Sequence, residues 1–336
     1  MKLHLANSEV ALRNPAHVRR LAEIFERCGI PSLRSATTQF EEVFMSPRTM
    51  LQTLILLLAV PPIAVAQGSR GAKSGYAAVH GLKMYYTIQG TGRPLVLLHG
   101  ALSNIDTDFG KLLPEFARKR QVIAIEQQAH GHTADIDRPL TYAQMADDTA
   151  EVLRQLKIEN ADFFGYSMGG GVAIELAMRH PGLVGKLVWA GGVSYSPDGL
   201  YPMIRDGAKD LKPELLAGSP WEKTYASIAP DPRNWGVLVF KIRDLDMNFG
   251  GWKSAEVKAI NAPVLLIIGD SDIVRPEHVV EMFRLFGGGV PGDVSGLPRS
   301  QLAVLPGTTH VTVVDRAEWL LSMVNAFLDA PSPKPN

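Results

Sequence analysis

The stretch Phe163-Phe164-Gly165-Tyr166-Ser167-Met168-Gly169-Gly170-Gly171 decides how the rest of the chain is read. Residues 161–165 predict a short buried strand, and residues 172–178 predict a helix with no internal Gly or Pro. A strand that enters a helix through so sharp a turn strains the backbone of its central residue, and only small neighbours let the two arms pass. Gly165 and Gly169 supply those neighbours on either side of Ser167, in a G-x-S-x-G pattern. The turn exposes the Ser167 hydroxyl and aims backbone N–H groups at the helix start toward the same point. The string alone is common; its strand–turn–helix setting makes Ser167 a candidate nucleophile.

Outward from this turn the chain alternates. Residues 76–80 and 82–88 read as a hairpin turning at Gly81, and residues 94–98 as a continuous apolar strand running into His99-Gly100. A helix is expected over 109–116, a strand over 121–126, and an amphipathic helix over 141–156 with Asp147 and Asp148 on its exposed side. After the Ser167 helix, residues 186–191 predict another strand. Continuous apolar strands alternating with helices indicate an α/β fold, a mostly parallel central sheet covered by helices on both faces. The alternation stops near Gly192. Residues 193–261 mix Pro197, Pro202, Pro213, Pro220, Pro230 and Pro232 with aromatic side chains. A structureless loop of that length is rare inside a compact domain, so the segment is expected to be an inserted helical lid. The pattern then resumes with a strand over 263–269, a helix over 276–286, a strand over 301–307 and a helix over 316–328, before a Pro-rich tail, 331–336, expected to be disordered. The core is therefore assigned to 67–192 and 262–330.

The 336 residues carry 34 basic and 34 acidic side chains, so no net field draws the chain to nucleic acid or an anionic surface. A single cysteine, Cys28, permits neither a disulfide framework nor a thiolate metal site. Residues 45–66 read as a secretory signal peptide: Arg48, an apolar run over 51–60, then Pro61-Pro62 and the small residues Ala64-Val65-Ala66. The run falls short of the roughly 20 residues that span a bilayer, so an anchor is the weaker reading. Export, to periplasm or medium, with cleavage near Ala66 is the expectation, as is translation starting at Met45 or Met50, which leaves 1–44 as a leader of doubtful translation.

A serine hydroxyl needs a base in hydrogen-bond reach, itself oriented by a carboxylate. Asp272 follows the apolar strand ending at Gly269, and His310 follows the strand ending at Pro306-Gly307. Both fall just past C-terminal strand ends, on the edge of a parallel sheet where ligands gather. Asp270 is the rival acid.

These motifs resemble those of the α/β-hydrolase superfamily, in its lid-bearing branch of small esterases, lactonases, cofactor-free haloperoxidases, carbon–carbon bond hydrolases and proline iminopeptidases. The resemblance rests on Leu97-Leu98-His99-Gly100, on Gly165 to Gly170, on Gly269-Asp270-Ser271-Asp272-Ile273-Val274-Arg275-Pro276 and on Pro306-Gly307-Thr308-Thr309-His310. It covers nearly everything from Tyr76 to Leu328. It implies Ser167 as nucleophile, His310 as general base and Asp272 as orienting acid, because relatives with this G-D-x-D pattern use the second Asp. It also implies an oxyanion hole from the N–H groups of Met168 and Ala101 and a structural role for His99; no cofactor or metal is expected. Substrate contacts are expected from Leu102, Tyr166, Trp221 and Trp235, around a small apolar ester-type substrate.

One motif departs from the family. Relatives carry D-x-R-G-H-G-x-S where this chain has Glu126-Gln127-Gln128-Ala129-His130-Gly131-His132-Thr133. His130 and His132 lack a third ligand nearby in sequence and read as structural. A serine nucleophile implies ester or lactone hydrolysis through an acyl-enzyme, with amide, carbon–carbon and perhydrolysis chemistry behind it. Iminopeptidases need acidic groups that grip a substrate amino terminus, and the lid offers Glu214, Glu222, Asp244 and Asp246, residues that ordinarily form solvated faces. A non-catalytic ligand-binding protein of the same fold is the rival from another class.

Overall fold

The apolar runs become the strands of one sheet in the computed structural model, which describes residues 72–331. The strands are β1 (Lys73–Val79), β2 (Leu82–Gln89), β3 (Pro94–Leu98), β4 (Gln121–Ile125), β5 (Ala161–Tyr166), β6 (Val184–Ala190), β7 (Val264–Ser271) and β8 (Gln301–Thr309), in the order β1-β2-β4-β3-β5-β6-β7-β8. The β1–β2 and β2–β4 pairs are antiparallel, and every pair from β4 to β8 is parallel. The helices are α1 (Ile105–Phe109), α2 (Leu113–Phe116), α3 (Tyr142–Gln155), α4 (Met168–Arg179), α5 (Pro202–Gly207), α6 (Pro220–Ile228), α7 (Trp235–Asn248), α8 (Ser254–Lys258), α9 (Pro276–Leu285), α10 (Gly292–Ser295) and α11 (Ala317–Asp329). The expected leader, signal segment and the tail beyond residue 331 lie outside the described residues. Among the described residues no helix is long and apolar enough to cross a membrane.

Strand alternation sorts the apolar side chains into two cores. On β3, Leu95 and Leu97 join Phe109, Phe116 and Phe327 beneath α1, α2 and α11, whereas Val96 and Leu98 join Val152, Ile174 and Met282 beneath α3, α4 and α9. Each such burial contributes about 1.5–3 kcal/mol, and two-sided burial is why these strands read as unbroken apolar runs. The parallel strands all end on one edge, where β3, β5, β7 and β8 release His99-Gly100, Ser167, Asp272 and His310.

Two local expectations are corrected. The helix expected over 109–116 is instead two short helices, α1 and α2. Asn104 starts the first with a capping box, its side chain accepting from the N–H groups of Asp106 and Thr107 while Thr107 Oγ1 accepts from the Asn104 N–H. Gly110 ends it, and the apolar residues alone do not reveal the Asn-x-x-Thr start. Asp148, expected on the exposed side of α3, is buried. It pairs with Arg138, and with His80 at 2.7 Å, so partners from outside the helix override the helical polarity pattern. Its neighbour Asp147 is held by Arg179 and His180, and the hydrogen bond from Arg179 keeps its carboxyl below the usual range.

The segment between β6 and β7 is a helical lid, with α5 to α8 and intervening 3-10 turns. It is tied to the body at both ends. The Tyr201 N–H donates to the Ile273 carbonyl, the Arg275 N–H to the Gly199 carbonyl, and Trp252 Nε1 to Glu175. In its middle, Lys241 on α7 donates to Asp135 and to the Ile136 and Arg138 carbonyls. Those groups belong to the loop that departs from the family pattern. Gln128 donates to Asp135 and accepts from Arg138 Nε at 2.6 Å, so a guanidinium from ten residues on reaches this loop. Ala129, where relatives carry Gly, still takes the left-handed conformation at φ 66°.

Candidate active site

Ser167 sits between β5 and α4 at φ 51° and ψ −119°, the strained conformation the sequence requires. The close approach of the arms is measurable. A methyl group on Gly165 would lie 2.3 Å from the Gly169 carbonyl oxygen, and one on Gly169 only 2.0 Å from that of Leu98. Both obstacles are backbone and cannot swing aside. Gly169→Ala is therefore expected to cost about 3 kcal/mol or more through overpacking, read as a lower denaturation midpoint with unchanged m-value. A loss under about 1 kcal/mol would contradict the tight elbow.

The side chains beyond the elbow form one hydrogen-bonded chain. Ser167 Oγ lies 2.9 Å from His310 Nε2, and His310 Nδ1 lies 2.9 Å from Asp272 Oδ1. Asp272 is buried and also accepts from the Val274 N–H at 3.3 Å. An Nδ1–H directed at the carboxylate leaves Nε2 free to accept the Ser167 proton. Asp270, the rival acid, is exposed and accepts from the Gly307 and Thr308 N–H groups at 2.9 and 3.1 Å, bonds that hold its carboxyl below the usual range. It fastens the end of β7 to β8, while Asp272 holds the imidazole.

Tyr166 supports His310 from the nucleophile's own strand. Its hydroxyl donates to the His310 carbonyl at 3.0 Å, and its ring lies 5.8 Å from the imidazole. Tyr166 is thus a positioning residue as well as a cavity wall. Tyr166→Phe is expected to lower kcat about 3- to 10-fold with KM nearly unchanged, since one hydrogen bond worth about 1 kcal/mol fixes the base. A pure rise in KM would place the hydroxyl against substrate instead.

Ser167 and His310 open into a cavity of about 570 Å³ beneath the lid, within the size range of small-molecule sites. Ala101 and Met168 line it, and neither N–H is engaged in a backbone hydrogen bond among the described residues. Leu102, Tyr166 and Trp221 also line it. Trp235 does not: it starts α7 and turns into the lid, buried against Tyr225 at 5.4 Å between ring centroids. Met203 and Met247 are exposed on the lid surface. His99 is bound within its loop. Its Nδ1 donates to the Gly100 carbonyl and its Nε2 accepts from the Gln127 N–H, the pattern of a neutral ring. His130 is buried beside it, and desolvation lowers it to about 3. His132 turns away to Glu126. No group of three or more His, Cys, Asp or Glu is placed to hold a metal among the described residues.

Two carboxyl groups of the site are not evident from sequence patterning. Asp108 on α1 is buried and accepts from the Gly100 N–H and Ser103 Oγ, bracing the turn that presents Ala101. Burial pushes its carboxyl up despite those bonds. Asp246 on α7 lines the cavity and stays exposed to solvent, as expected of a lid acid. Protein packed around it pushes its carboxyl up to about 6 through desolvation. The spacing of Asn104 and Thr107 could reveal α1 and so Asp108. Asp246 shares a helical face with Ile242, Leu245 and Phe249, but that this face meets the cavity depends on how the lid docks.

Comparison with known proteins agrees with this architecture. A family model described as the alpha/beta hydrolase fold matches residues 93–229. The human (Homo sapiens) serine hydrolase BPHL is 30% identical over 251 residues, covering 68% of this chain and 83% of that protein. The 2-hydroxymuconate semialdehyde hydrolase of Pseudomonas sp. strain CF600 is 26% identical over 270 residues, covering 71% and 88%. Among solved structures, Est816, described as an N-acyl homoserine lactone degrading enzyme, is similar in fold with a TM-score of 0.60 at 21% identity, covering 76% of this chain and 100% of that one.

Proposed function

The chain belongs to the α/β-hydrolase family as a hydrolase, and on that premise we propose that it cleaves a carboxylic ester or lactone through an acyl-enzyme on Ser167. The observation that carries the reading is the Ser167–His310–Asp272 hydrogen-bonded chain opening into the lid-covered cavity. In this mechanism His310 Nε2 takes the Ser167 proton as Oγ attacks the substrate carbonyl. The N–H groups of Met168 and Ala101 receive the developing oxyanion. His310 then returns the proton to the leaving alcohol oxygen, and the acyl group remains on Ser167. In the second half His310 deprotonates a water, which attacks the acyl carbonyl, and His310 then returns that proton to Ser167 Oγ as the acyl–oxygen bond breaks and the acid leaves. Asp272 holds the ring orientation throughout and stabilises the imidazolium without taking its proton.

A second reading, hydrolysis of a carbon–carbon bond, is favoured by the similarity to 2-hydroxymuconate semialdehyde hydrolase. Labelling with a fluorophosphonate, followed by a screen of p-nitrophenyl esters of graded length beside lactones, aryl esters, vinylogous β-diketones and proline anilides, separates the readings. Labelling at Ser167 with turnover of esters or lactones is the expected result. Turnover of diketones alone would select carbon–carbon hydrolysis. No labelling of the folded protein would favour a non-catalytic binding protein of this fold.

A further inference from the structure

Most polar side chains that line the cavity beneath the lid are already engaged. Ser103 and Asp108 bond to each other, Tyr166 to the His310 carbonyl, Ser194 to the Ser196 carbonyl, and Asp315 to Lys111. Tyr142, the first residue of α3, is different. It lines the same cavity as Ser167 and is only 5% exposed, yet among the described residues its hydroxyl makes no hydrogen bond. Nor is that hydroxyl sealed off, as the partnerless Thr87 Oγ1 and His130 Nε2 are. The cavity reaches it.

The ring is not free to turn toward a protein partner. It lies against Gly171, one turn into α4, so closely that a methyl group there would come within 2.5 Å of Cε1. The ring centroids of Phe249 and Trp252 stand 5.0 and 5.8 Å away, and Glu175 pins Trp252 in turn. Gly171 is thus the glycine of the elbow run that makes room for this ring. Burial, reinforced by the charge of Asp246, raises the phenol well above its ordinary range, so the hydroxyl is a donor at any working pH. A donor fixed in an apolar wall costs free energy unless an acceptor meets it. The charge of Asp246 also disfavours an anionic acceptor at this place, which leaves a neutral oxygen.

We infer that Tyr142 is a specificity-determining residue whose hydroxyl donates to a neutral acceptor oxygen of the substrate, such as a ketone, ether or amide oxygen carried away from the scissile bond. This rests on the serine-hydrolase reading above and narrows it: the preferred esters are oxygenated at a second position rather than plain hydrocarbon. Met168, whose N–H faces the scissile carbonyl in that reading, and Gly171, which carries the Tyr142 ring, lie on the same first turn of α4. One rigid turn therefore sets the spacing between the two oxygens that the site recognises.

Matched pairs of esters test this, with the second oxygen on either side of the scissile bond. The acyl pairs are the p-nitrophenyl esters of 4-oxopentanoate, 5-oxohexanoate and 6-oxoheptanoate, each beside its methyl isostere, 4-methylpentanoate, 5-methylhexanoate or 6-methylheptanoate. The alcohol pair is the benzoate of 5-hydroxypentan-2-one and that of 4-methylpentanol. Each ester is read both as a substrate and as a competitor of fluorophosphonate labelling at Ser167, in wild type and in Tyr142→Phe, a change that keeps the ring on Gly171. In at least one pair the wild type is expected to favour the keto member about tenfold or more in kcat/KM, chiefly through KM. Tyr142→Phe is expected to bring the two members to within about threefold of each other. Labelled wild-type protein that shows no keto preference in any pair overturns the inference while leaving the serine-hydrolase reading intact. A keto preference that survives in Tyr142→Phe also overturns it, because another donor then makes the contact. So does an equal loss on both members of each pair, because the hydroxyl would then serve only the packing of the site. Absence of labelling and of turnover in wild type is failure of the underlying reading instead, and takes the inference with it.

Discussion

Ser167→Ala is expected to lower turnover of any hydrolysed ester by roughly 10³- to 10⁶-fold, with KM or inhibitor binding changed only a few-fold. The magnitude follows from the chemistry: without Oγ there is no acyl-enzyme, and what remains is the binding of substrate and the two unengaged amides of Ala101 and Met168. Folding should be nearly untouched, because the strained conformation at φ 51° belongs to the backbone and the flanking glycines, not to the hydroxyl. The paired measurement is single-turnover kinetics with a chromogenic ester beside fluorophosphonate labelling. Full labelling elsewhere in the variant, or survival of ester turnover, would remove Ser167 from the mechanism.

The second large effect separates two carboxylates only two residues apart. Asp272→Asn should lower kcat by roughly 10³- to 10⁴-fold, since an amide that donates to His310 Nδ1 fixes the wrong tautomer and Nε2 can no longer accept the serine proton. The buried Asp272 touches His310 at 2.9 Å and has few other contacts to lose, so stability should change by about 1–2 kcal/mol. Asp270→Asn should do the reverse. It weakens the bonds to the Gly307 and Thr308 N–H groups and loosens the β7–β8 junction, with kcat falling less than about tenfold. Because those bonds hold the Asp270 carboxyl below its usual range, their contribution to stability is present at neutral pH and is lost as pH falls through the folded-state value. Asp270→Asn should therefore flatten the acid limb of the stability profile. If the kinetic loss instead followed Asp270, the acid assignment would have to be exchanged.

Much of this architecture is legible in the order of the amino acids. The two-sided apolar strands, residues 94–98, 121–126, 161–165 and 263–269, announce a parallel sheet because burial on both faces leaves no polar alternation to confuse the pattern. The order Ser167, Asp272, His310 is legible because each residue follows a strand end, and strand ends in a parallel sheet share one edge. Glycine is informative at Gly165 and Gly169, where a side chain would meet backbone within 2.3 Å. Where pattern and fold disagree, the cause is shared. Helical periodicity puts Asp148 on a solvated face because it records only apolar neighbours, whereas Arg138 and His80 come from other elements to bury it. Trp235 reads as a pocket residue because a lid tryptophan looks the same in sequence whether it packs inward on Tyr225 or down onto substrate.

By itself, then, the sequence determined the sheet, the elbow and the candidate triad, since these depend on local strain, periodicity and chain order. Only the tertiary structure decided which lid side chains face Ser167. The lid's helices pack through contacts distant in sequence, such as Lys241 with the 135–138 loop and Trp252 with Glu175, and those contacts fix the rotation of α7. Helical periodicity groups Asp246 with Ile242, Leu245 and Phe249 and sets Asp244 on the opposite side, but only that docking decides that the 242/245/246/249 face meets the cavity.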